Sequence, residues 1–227
     1  MPRVALVEVE EKQSLEEAIA AYNRSGLLER VSYNYIRKAS VLPDDTLLQD
    51  GKQWGIAGSD VSASEAWDVV NEAPDVVVAI LDSGVRYAHE DLAANMWVNT
   101  GEIAGNGLDD DGNGFIDDIH GINTVGVDGE RTPETEGDPM DDLGHGTHVA
   151  GIVGAVGNNG LGVTGVAWNI KLMALKFLNS SGEGSDSDAI ECINYAREQG
   201  AHIINSSWGG LDFNPLLGDE IEQASEA

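Results

Sequence analysis

The sequence predicts an α/β protein built on a doubly wound parallel sheet. The run 76–81, Val-Val-Val-Ala-Ile-Leu, is apolar and β-branched, which is typical of a strand buried on both faces of such a sheet. Three later segments predict a strand, a helix and a second strand, in that order: 170–178, 188–199 and 202–205. This alternation indicates βαβ units. Ligands of these sheets gather at the carboxyl ends of the strands, where Asp82 and the residues after Asn205 lie.

The chain is predicted to divide into an amino-terminal segment, a linker with the start of the main domain, and the main domain: 1–42, 43–75 and 76–227. Two parts of the first segment predict strands: 4–9 and 30–36. Between them, Ser14 and Glu17 have the spacing of a capping box at the start of a helix, and Gly26 ends that helix. The turn residues 43–45 mark the boundary.

Composition excludes several classes of protein. The 227 residues include 40 acids and 12 Lys and Arg, and the resulting net charge of -28 excludes nucleic acid as a partner of the surface as a whole. With 41% apolar residues the chain can form a core. We expect neither a membrane span nor a signal peptide, since no apolar run approaches the roughly 20 residues that a span requires. The single Cys192 has the helical spacing of a core residue rather than a reactive thiol.

Two polar groups of residues point to chemistry. Asp82 ends its predicted strand, and His145 and His148 open a helix predicted over 145–156. Taken alone, the sequence favours Asp82 as a turn residue and the two histidines as an ordinary pair on one helix face. A zinc site at the histidines is another alternative, although the segment lacks the general-base Glu of the usual zinc helix.

Three segments in order carry a family resemblance: 78–85 (Val-Ala-Ile-Leu-Asp-Ser-Gly-Val), 145–151 (His-Gly-Thr-His-Val-Ala-Gly) and 205–210 (Asn-Ser-Ser-Trp-Gly-Gly). They resemble the aspartate, histidine and substrate-binding motifs of the subtilisin-like serine proteases, the subtilase family. The similarity runs almost continuously from about Gln53 to Ala227. It implies a subtilisin-like sheet, cut short at its carboxyl side, with a small α+β propeptide-like appendage at the other end.

The resemblance implies a serine endopeptidase with an Asp-His-Ser triad. His145 would be the general base, Asp82 would orient its imidazole, and His148 would be structural. Subtilases take their nucleophilic serine from a Gly-Thr-Ser motif further along and their oxyanion-hole asparagine from a Gly-Asn segment, and neither motif is found here. We therefore expect this chain to be the inactive front part of a protease. The alternatives are a pseudoprotease that binds calcium and peptides, and a zinc hydrolase that uses the histidines.

The family likeness also implies a substrate cleft. An extended peptide would lie as an added strand between the backbones of two segments, carried by Ser207, Trp208 and Gly209 on one side and Gly182 and Gly184 on the other. Without the flanking motifs the two glycines indicate only a flexible loop.

Calcium is the cofactor that the resemblance implies. The expected ligands are three side chains and three backbone carbonyls: Gln53, Asp91 and Asn159, with Val156, Leu161 and Val163. Independently, the loop 109–118 has the first half of an EF-hand pattern, with Asp109, Asp111 and Asn113 at positions 1, 3 and 5, Gly at 6 and the carbonyl of Phe115 at 7. Position 12 is His120, so we expect Asp117 or Asp118 to close the loop. The alternative is a solvated acidic turn.

The segment 1–42 resembles the rear half of a subtilase propeptide, which would cover the cleft and inhibit the enzyme. An accessory subdomain is the alternative. The family further implies an extracellular or cell-surface protein that is a monomer at full length. Because the chain stops at Ala227 inside an apparent helix, we expect exposed apolar faces and aggregation of the isolated chain.

Overall fold

The computed structural model describes residues 7–9, 13–28, 30–33, 42–57, 61–125 and 131–226. The chain forms two compact units, Met1–Ala39 and Ser40–Ala227. In the first unit, helix α1 (Leu15–Ser25) begins after Ser14, whose side chain accepts a hydrogen bond from the N–H of Glu17. Glu17 in turn accepts the N–H of Ser14, so the predicted capping box is confirmed, and Gly26 ends the helix in the left-handed conformation with φ 64°.

The two strands predicted in this unit are not seen where the structure describes it. Residues 7–9 and 30–33 have no strand structure, because no neighbouring strand lies beside them among the described residues to complete a ladder. The remaining residues of these two predictions, 4–6 and 34–36, lie outside the described residues.

The described part of the second unit contains the strands β1 (Glu72–Asp82), β2 (Gly121–Asn123), β3 (Asn169–Lys176) and β4 (Ile203–Ser206). Its helices are α2 (Thr46–Gln49), α3 (Trp54–Ala57), α4 (Ala63–Trp67), α5 (Pro133–Glu136), α6 (His145–Gly154), α7 (Asp186–Glu198) and α8 (Pro215–Glu226), with a 3₁₀ turn at Ala93–Asn95. The strands predicted at 76–81, 170–178 and 202–205 and the helices predicted at 145–156 and 188–199 are all present, with ends shifted by a few residues. Strand β2 and the short helices were not predicted.

The four strands form one parallel sheet in the order β2-β3-β1-β4. Asp82 at the end of β1 is in register with Lys176 of β3, and Leu81 is in register with Ser206 of β4. The strands therefore end together, and the segments that follow them meet along one edge of the sheet.

Both faces of strand β1 are buried, as its apolar run predicts. Val78 and Ile80 pack into the core that contains Val149 of α6, while Ala79 and Leu81 pack into the core that contains Cys192 of α7. Helices on both faces of a parallel sheet are the predicted doubly wound α/β arrangement. Cys192 is completely buried, which raises the pKa of its thiol to about 12, as expected of a core residue.

Several exposed apolar side chains lie on or beyond strand β4, which is an edge strand of the sheet. Leu211, Phe213 and Leu216 are exposed there, together with Ile203 of β4 itself. Aggregation of the isolated chain stays a prediction. Among the described residues, no helix has the length and apolar character needed to cross a bilayer.

Candidate active site

Asp82 and His145 meet at the carboxyl edge of the sheet. Asp82 is fully buried, and the Nδ1 atom of His145 lies 2.8 Å from its Oδ1 and 2.9 Å from its Oδ2. A carboxylate that accepts from Nδ1–H fixes the tautomer in which Nε2 is free to take a proton. Because 48% of the His145 side chain is exposed, the imidazole remains open to a reacting partner.

Helix α6 can approach Asp82 this closely because its second residue is a glycine. A Cβ on Gly146 would lie 2.1 Å from the carbonyl oxygen of Gly84 and 3.1 Å from the Cβ of Asp82. The N–H of Gly146 instead donates to Ser83 Oγ at 3.0 Å, and the N–H of Ser83 donates to Asp82 Oδ1 at 2.7 Å. Two backbone amides thus link the first turn of the helix to the end of β1.

Asp141 organises the loop that leads into helix α6. Its Oδ1 accepts hydrogen bonds from Ser83 Oγ and from the N–H groups of Leu143 and Gly144, and its Oδ2 accepts from the N–H and the hydroxyl of Thr147. Burial opposes the ionised form of Asp141. The hydrogen bonds, those of Thr147 foremost, outweigh burial and hold the pKa of Asp141 below its ordinary value.

The two segments expected to bind substrate meet at Phe177, just beyond β3. The ring of Trp208 lies 4.8 Å from the ring of Phe177, and a Cβ on Gly184 would lie 2.4 Å from the carbonyl oxygen of Phe177. Ser207 and Gly209 are exposed, so their backbone is accessible. On the other segment, Gly182 has φ 78°, and a Cβ there would lie 3.5 Å from Leu143 of the loop before His145.

The structure gathers most of the first predicted calcium set around Asp91, which is buried. Asn159 Nδ2 donates to Asp91 Oδ1 at 2.8 Å, and the N–H of Val163 donates to Oδ2 at 3.0 Å. The N–H of Val156 donates to the backbone carbonyl of Asp91, and the N–H of Leu161 donates to Asn159 Oδ1. The loop 156–163 therefore wraps the carboxylate of Asp91.

Gln53 has other partners in this structure. Its Nε2 donates to the carbonyl oxygen of Thr164 at 2.5 Å, and its Oε1 accepts the N–H of Thr164 at 3.1 Å. Both ends of the amide are thus engaged with the backbone of one residue. The assignment of Gln53 as a ligand stays a prediction.

Asp45 lies beside this cluster and was missed in the sequence, where it was assigned to a turn. It is completely buried; Oδ2 accepts the N–H of Asn158 at 2.7 Å, while Oδ1 has no hydrogen-bond partner among the described residues. Burial, and in smaller part the charge of Asp91, raise the pKa of Asp45. An unpartnered buried carboxylate oxygen beside a second carboxylate fits a hard cation such as Ca²⁺. The only signal in the sequence was a pair of acids after Pro43.

The acidic loop gathers a second set of carboxylates. One oxygen each of Glu102, Asp109 and Asp111 lie within 4.8 Å of one another. Asp109 also accepts the N–H groups of Gly112 and Gly114, which curls the loop as the pattern predicts. Glu102, which lies outside the repeating pattern, was not predicted.

The two residues expected to close this loop are not part of this carboxylate set among the described residues. Asp117 accepts the N–H groups of Gly105 and Gly107. Asp118 is completely buried and accepts from Asn99, Asn113 and Tyr195. Burial raises the pKa of Asp118. In this arrangement Glu102 supplies the third carboxylate of the set.

Comparisons with known proteins show to which family the chain belongs. The family model described as "Subtilase family" matches residues 73–225, the part that carries Asp82 and His145. The chain belongs to the subtilase family. Subtilisin-like protease 1 of Plasmodium vivax is 37% identical over 171 residues, which are 75% of this chain and 26% of that protein. The thermophilic serine proteinase of Bacillus sp. strain AK1 is 34% identical over 196 residues, 86% of this chain and 41% of that protein.

A solved structure shows the same subtilase fold. A protease from Pseudoalteromonas arctica PAMC 21717 superposes with a TM-score of 0.63 at 27% identity, covering 82% of this chain and 56% of that one. The chain thus spans about a quarter to a little over half of the length of these subtilases.

The zinc alternative finds no support in the described residues. The group of side chains close enough to hold a metal there is the carboxylate set, and it includes neither His145 nor the exposed His148.

Proposed function

We propose that this chain supplies Asp82 and His145 of the catalytic triad of a serine endopeptidase, and that the nucleophilic serine and the oxyanion-hole asparagine lie beyond its 227 residues. The contact of His145 Nδ1 with both oxygens of a fully buried Asp82 carries this proposal. His145 Nε2 would take the serine proton as the hydroxyl attacks the peptide carbonyl and would return it to the leaving amine. Asp82 accepts the Nδ1–H of the imidazolium and so stabilises it.

The substrate is an extended peptide or protein segment. We infer that it lies between the segment 182–184 and the segment 207–209, whose shared contact with Phe177 sets them side by side. Backbone hydrogen bonds to an added strand hold any sequence, so this cleft supplies affinity more than side-chain preference. The segment 1–42 is proposed as the propeptide that occupies the same cleft before activation. The location outside the cell and the monomeric state of the full protein stay predictions.

Calcium is the proposed cofactor. The buried, unpartnered oxygen of Asp45 beside Asp91 supports a first site, completed by Asn159 and by carbonyls of the loop 156–163. Glu102, Asp109 and Asp111 support a second site. Bound calcium would supply positive charge that holds the loops carrying these carboxylates together.

The test uses the full-length protein that contains this chain. It should hydrolyse a fluorogenic peptide and react with a serine-directed phosphonate, while the 227-residue chain should do neither. His145→Ala should abolish both, since removal of the histidine in subtilisin, a member of this family, lowers kcat by about 10⁶. His148→Ala is the matched control on the same helix and should retain activity.

The rival function is a pseudoprotease that binds calcium and peptides. A full-length protein that fails to react with the phosphonate but binds peptide would favour it. The same peptide activity in wild type and His145→Ala would contradict the triad.

A further inference from the structure

Lys176 is the only buried cation among the described residues. Its side chain is 6% exposed and lies at the end of β3, in register with Asp82. The buried Asp82 and Asp141 belong to the same edge of the sheet. An ammonium group withdrawn from water is destabilising unless it is paired and its three donors are used.

All three donors of Lys176 are used, and each goes to a different segment of the site. The Nζ atom donates to the carbonyl oxygen of Ser83 at 2.9 Å, to the carbonyl oxygen of Leu178 at 3.1 Å and to Asp142 Oδ1 at 2.7 Å. Ser83 follows Asp82, Leu178 begins the segment that leads to the cleft, and Asp142 lies three residues before His145. One buried group therefore contacts the three segments that carry the triad members and the cleft.

We propose that Lys176 is a positioning residue that fixes the Asp82 turn, the His145 loop and the cleft segment 178–184 relative to one another. The inference rests on the proposed function, because it assigns Lys176 a role in that reaction. Strand β3 fixes the backbone of Lys176. Its ammonium group then holds Ser83, Asp142 and Leu178 at fixed distances from one another, whereas without it these groups would bond to water. A displacement of about 1 Å at such a site is enough to lower the rate about a hundredfold.

The first experiment compares Lys176→Met with Lys171→Met in the full-length protein. Methionine replaces the apolar stem of the side chain and removes its ammonium group, and Lys171 is a less buried lysine of the same strand. We expect Lys176→Met to lower kcat/KM between about ten- and a hundredfold. The loss should be divided between a lower kcat and a higher KM, because both the triad and the cleft lose a contact. Equal kinetics in the two variants would overturn the proposal.

A second variant, Asp142→Ala, separates the effect on kcat from the effect on KM. It also tests the proposal if Lys176→Met fails to fold. Asp142 is 53% exposed, so its loss leaves no buried group unpaired except the lysine donor. Asp142 belongs to the His145 loop, so this variant removes only the contact of Lys176 with that loop, and we expect a lower kcat with KM unchanged. Wild-type kcat in Asp142→Ala, or a change confined to KM, would contradict the positioning role of Lys176.

Hydrogen exchange in the full-length protein distinguishes this inference from the proposed function. Lys176→Met, but not Lys171→Met, should increase amide exchange at 83–85, 142–147 and 178–184 together. If exchange increases but the wild-type full-length protein is inactive, Lys176 still holds the three segments together and the proposed protease activity is wrong. If exchange is unchanged and the wild-type protein is active, only the positioning role of Lys176 is wrong.

Discussion

The missing side chain of Gly146 determines how closely helix α6 approaches Asp82. We predict that Gly146→Ala destabilises the fold by about 1–3 kcal/mol, because the new methyl group would meet the carbonyl oxygen of Gly84 at 2.1 Å and push the helix away. The displacement would also lengthen the contact between His145 and Asp82. Urea unfolding of the full-length protein measures the first effect, and its kcat/KM measures the second.

Gly151 is the matched control for this substitution. It lies in the same helix, and a Cβ there would meet nothing within 4 Å. Alanine is a better helix former than glycine by up to about 1 kcal/mol, so Gly151→Ala should stabilise the chain. The urea midpoint should therefore fall in Gly146→Ala and rise in Gly151→Ala. A stabilised Gly146→Ala would show that α6 does not pack as described.

At Asp45 the structure predicts opposite effects with and without calcium. In EDTA, Asp45→Asn should stabilise the chain at neutral pH, because it removes a buried negative charge beside Asp91. With calcium present, wild type should gain more than the variant, since a ligand at 100 times its Kd adds about 2.7 kcal/mol. Asp44→Asn is the control, because Asp44 is an exposed neighbour. Thermal midpoints with and without calcium measure both.

The pH dependence of the same variant follows from the raised pKa of Asp45. The folded state binds its proton more tightly than the unfolded state does, so this group favours folding at low pH. Its contribution is lost as pH rises from the unfolded carboxyl value through the folded one. In EDTA, Asp45→Asn should therefore flatten the fall in stability across that range. The prediction is wrong if wild type and variant have parallel pH profiles in EDTA.

At the scale of elements, the sequence was informative where a pattern repeats. The buried run of β1 predicted a central strand, and its position between β3 and β4 explains why both of its faces are apolar. Strand β2 escaped prediction because Gly121–Asn123 is too short to show a period. It forms because the end of the acidic loop lies beside β3.

The residues of the candidate site also differ in how far the sequence predicts them. Asp82 and His145 could be assigned because contiguous motifs carry them, whereas Asp45 and Glu102 could not. Asp45 lies 113 residues from Asn158, whose N–H it accepts. Glu102 lies outside the repeating pattern of the acidic loop, 8 and 15 residues before Asp110 and Asp117, whose N–H groups it accepts. Turn chemistry explains Asp45 equally well in isolation. Only the fold brings its carboxylate beside Asp91.

At the scale of the whole molecule, net charge opposes the compact state. Forty acids against 12 Lys and Arg give a net charge of -28, so the carboxylates of the folded chain repel one another at low ionic strength. We predict that NaCl raises the thermal midpoint in EDTA, where calcium makes no contribution. The Debye length falls from about 30 Å at 0.01 M to about 10 Å at 0.1 M, so most of the rise should occur in this range.

The shape of the salt response identifies its cause. Screening is nearly complete by a few tenths molar, whereas stabilisation through exclusion of salt from the protein surface continues to grow towards 1 M and is stronger with sulfate. We expect a gain of at least about 1 kcal/mol, or about 2–4 °C, below 0.3 M, with equal effects of chloride and sulfate at matched ionic strength. A thermal midpoint that does not change below 0.3 M salt would contradict the prediction. It would mean that the carboxylates of the folded chain lie so far apart that the dielectric constant of water already makes their repulsion negligible.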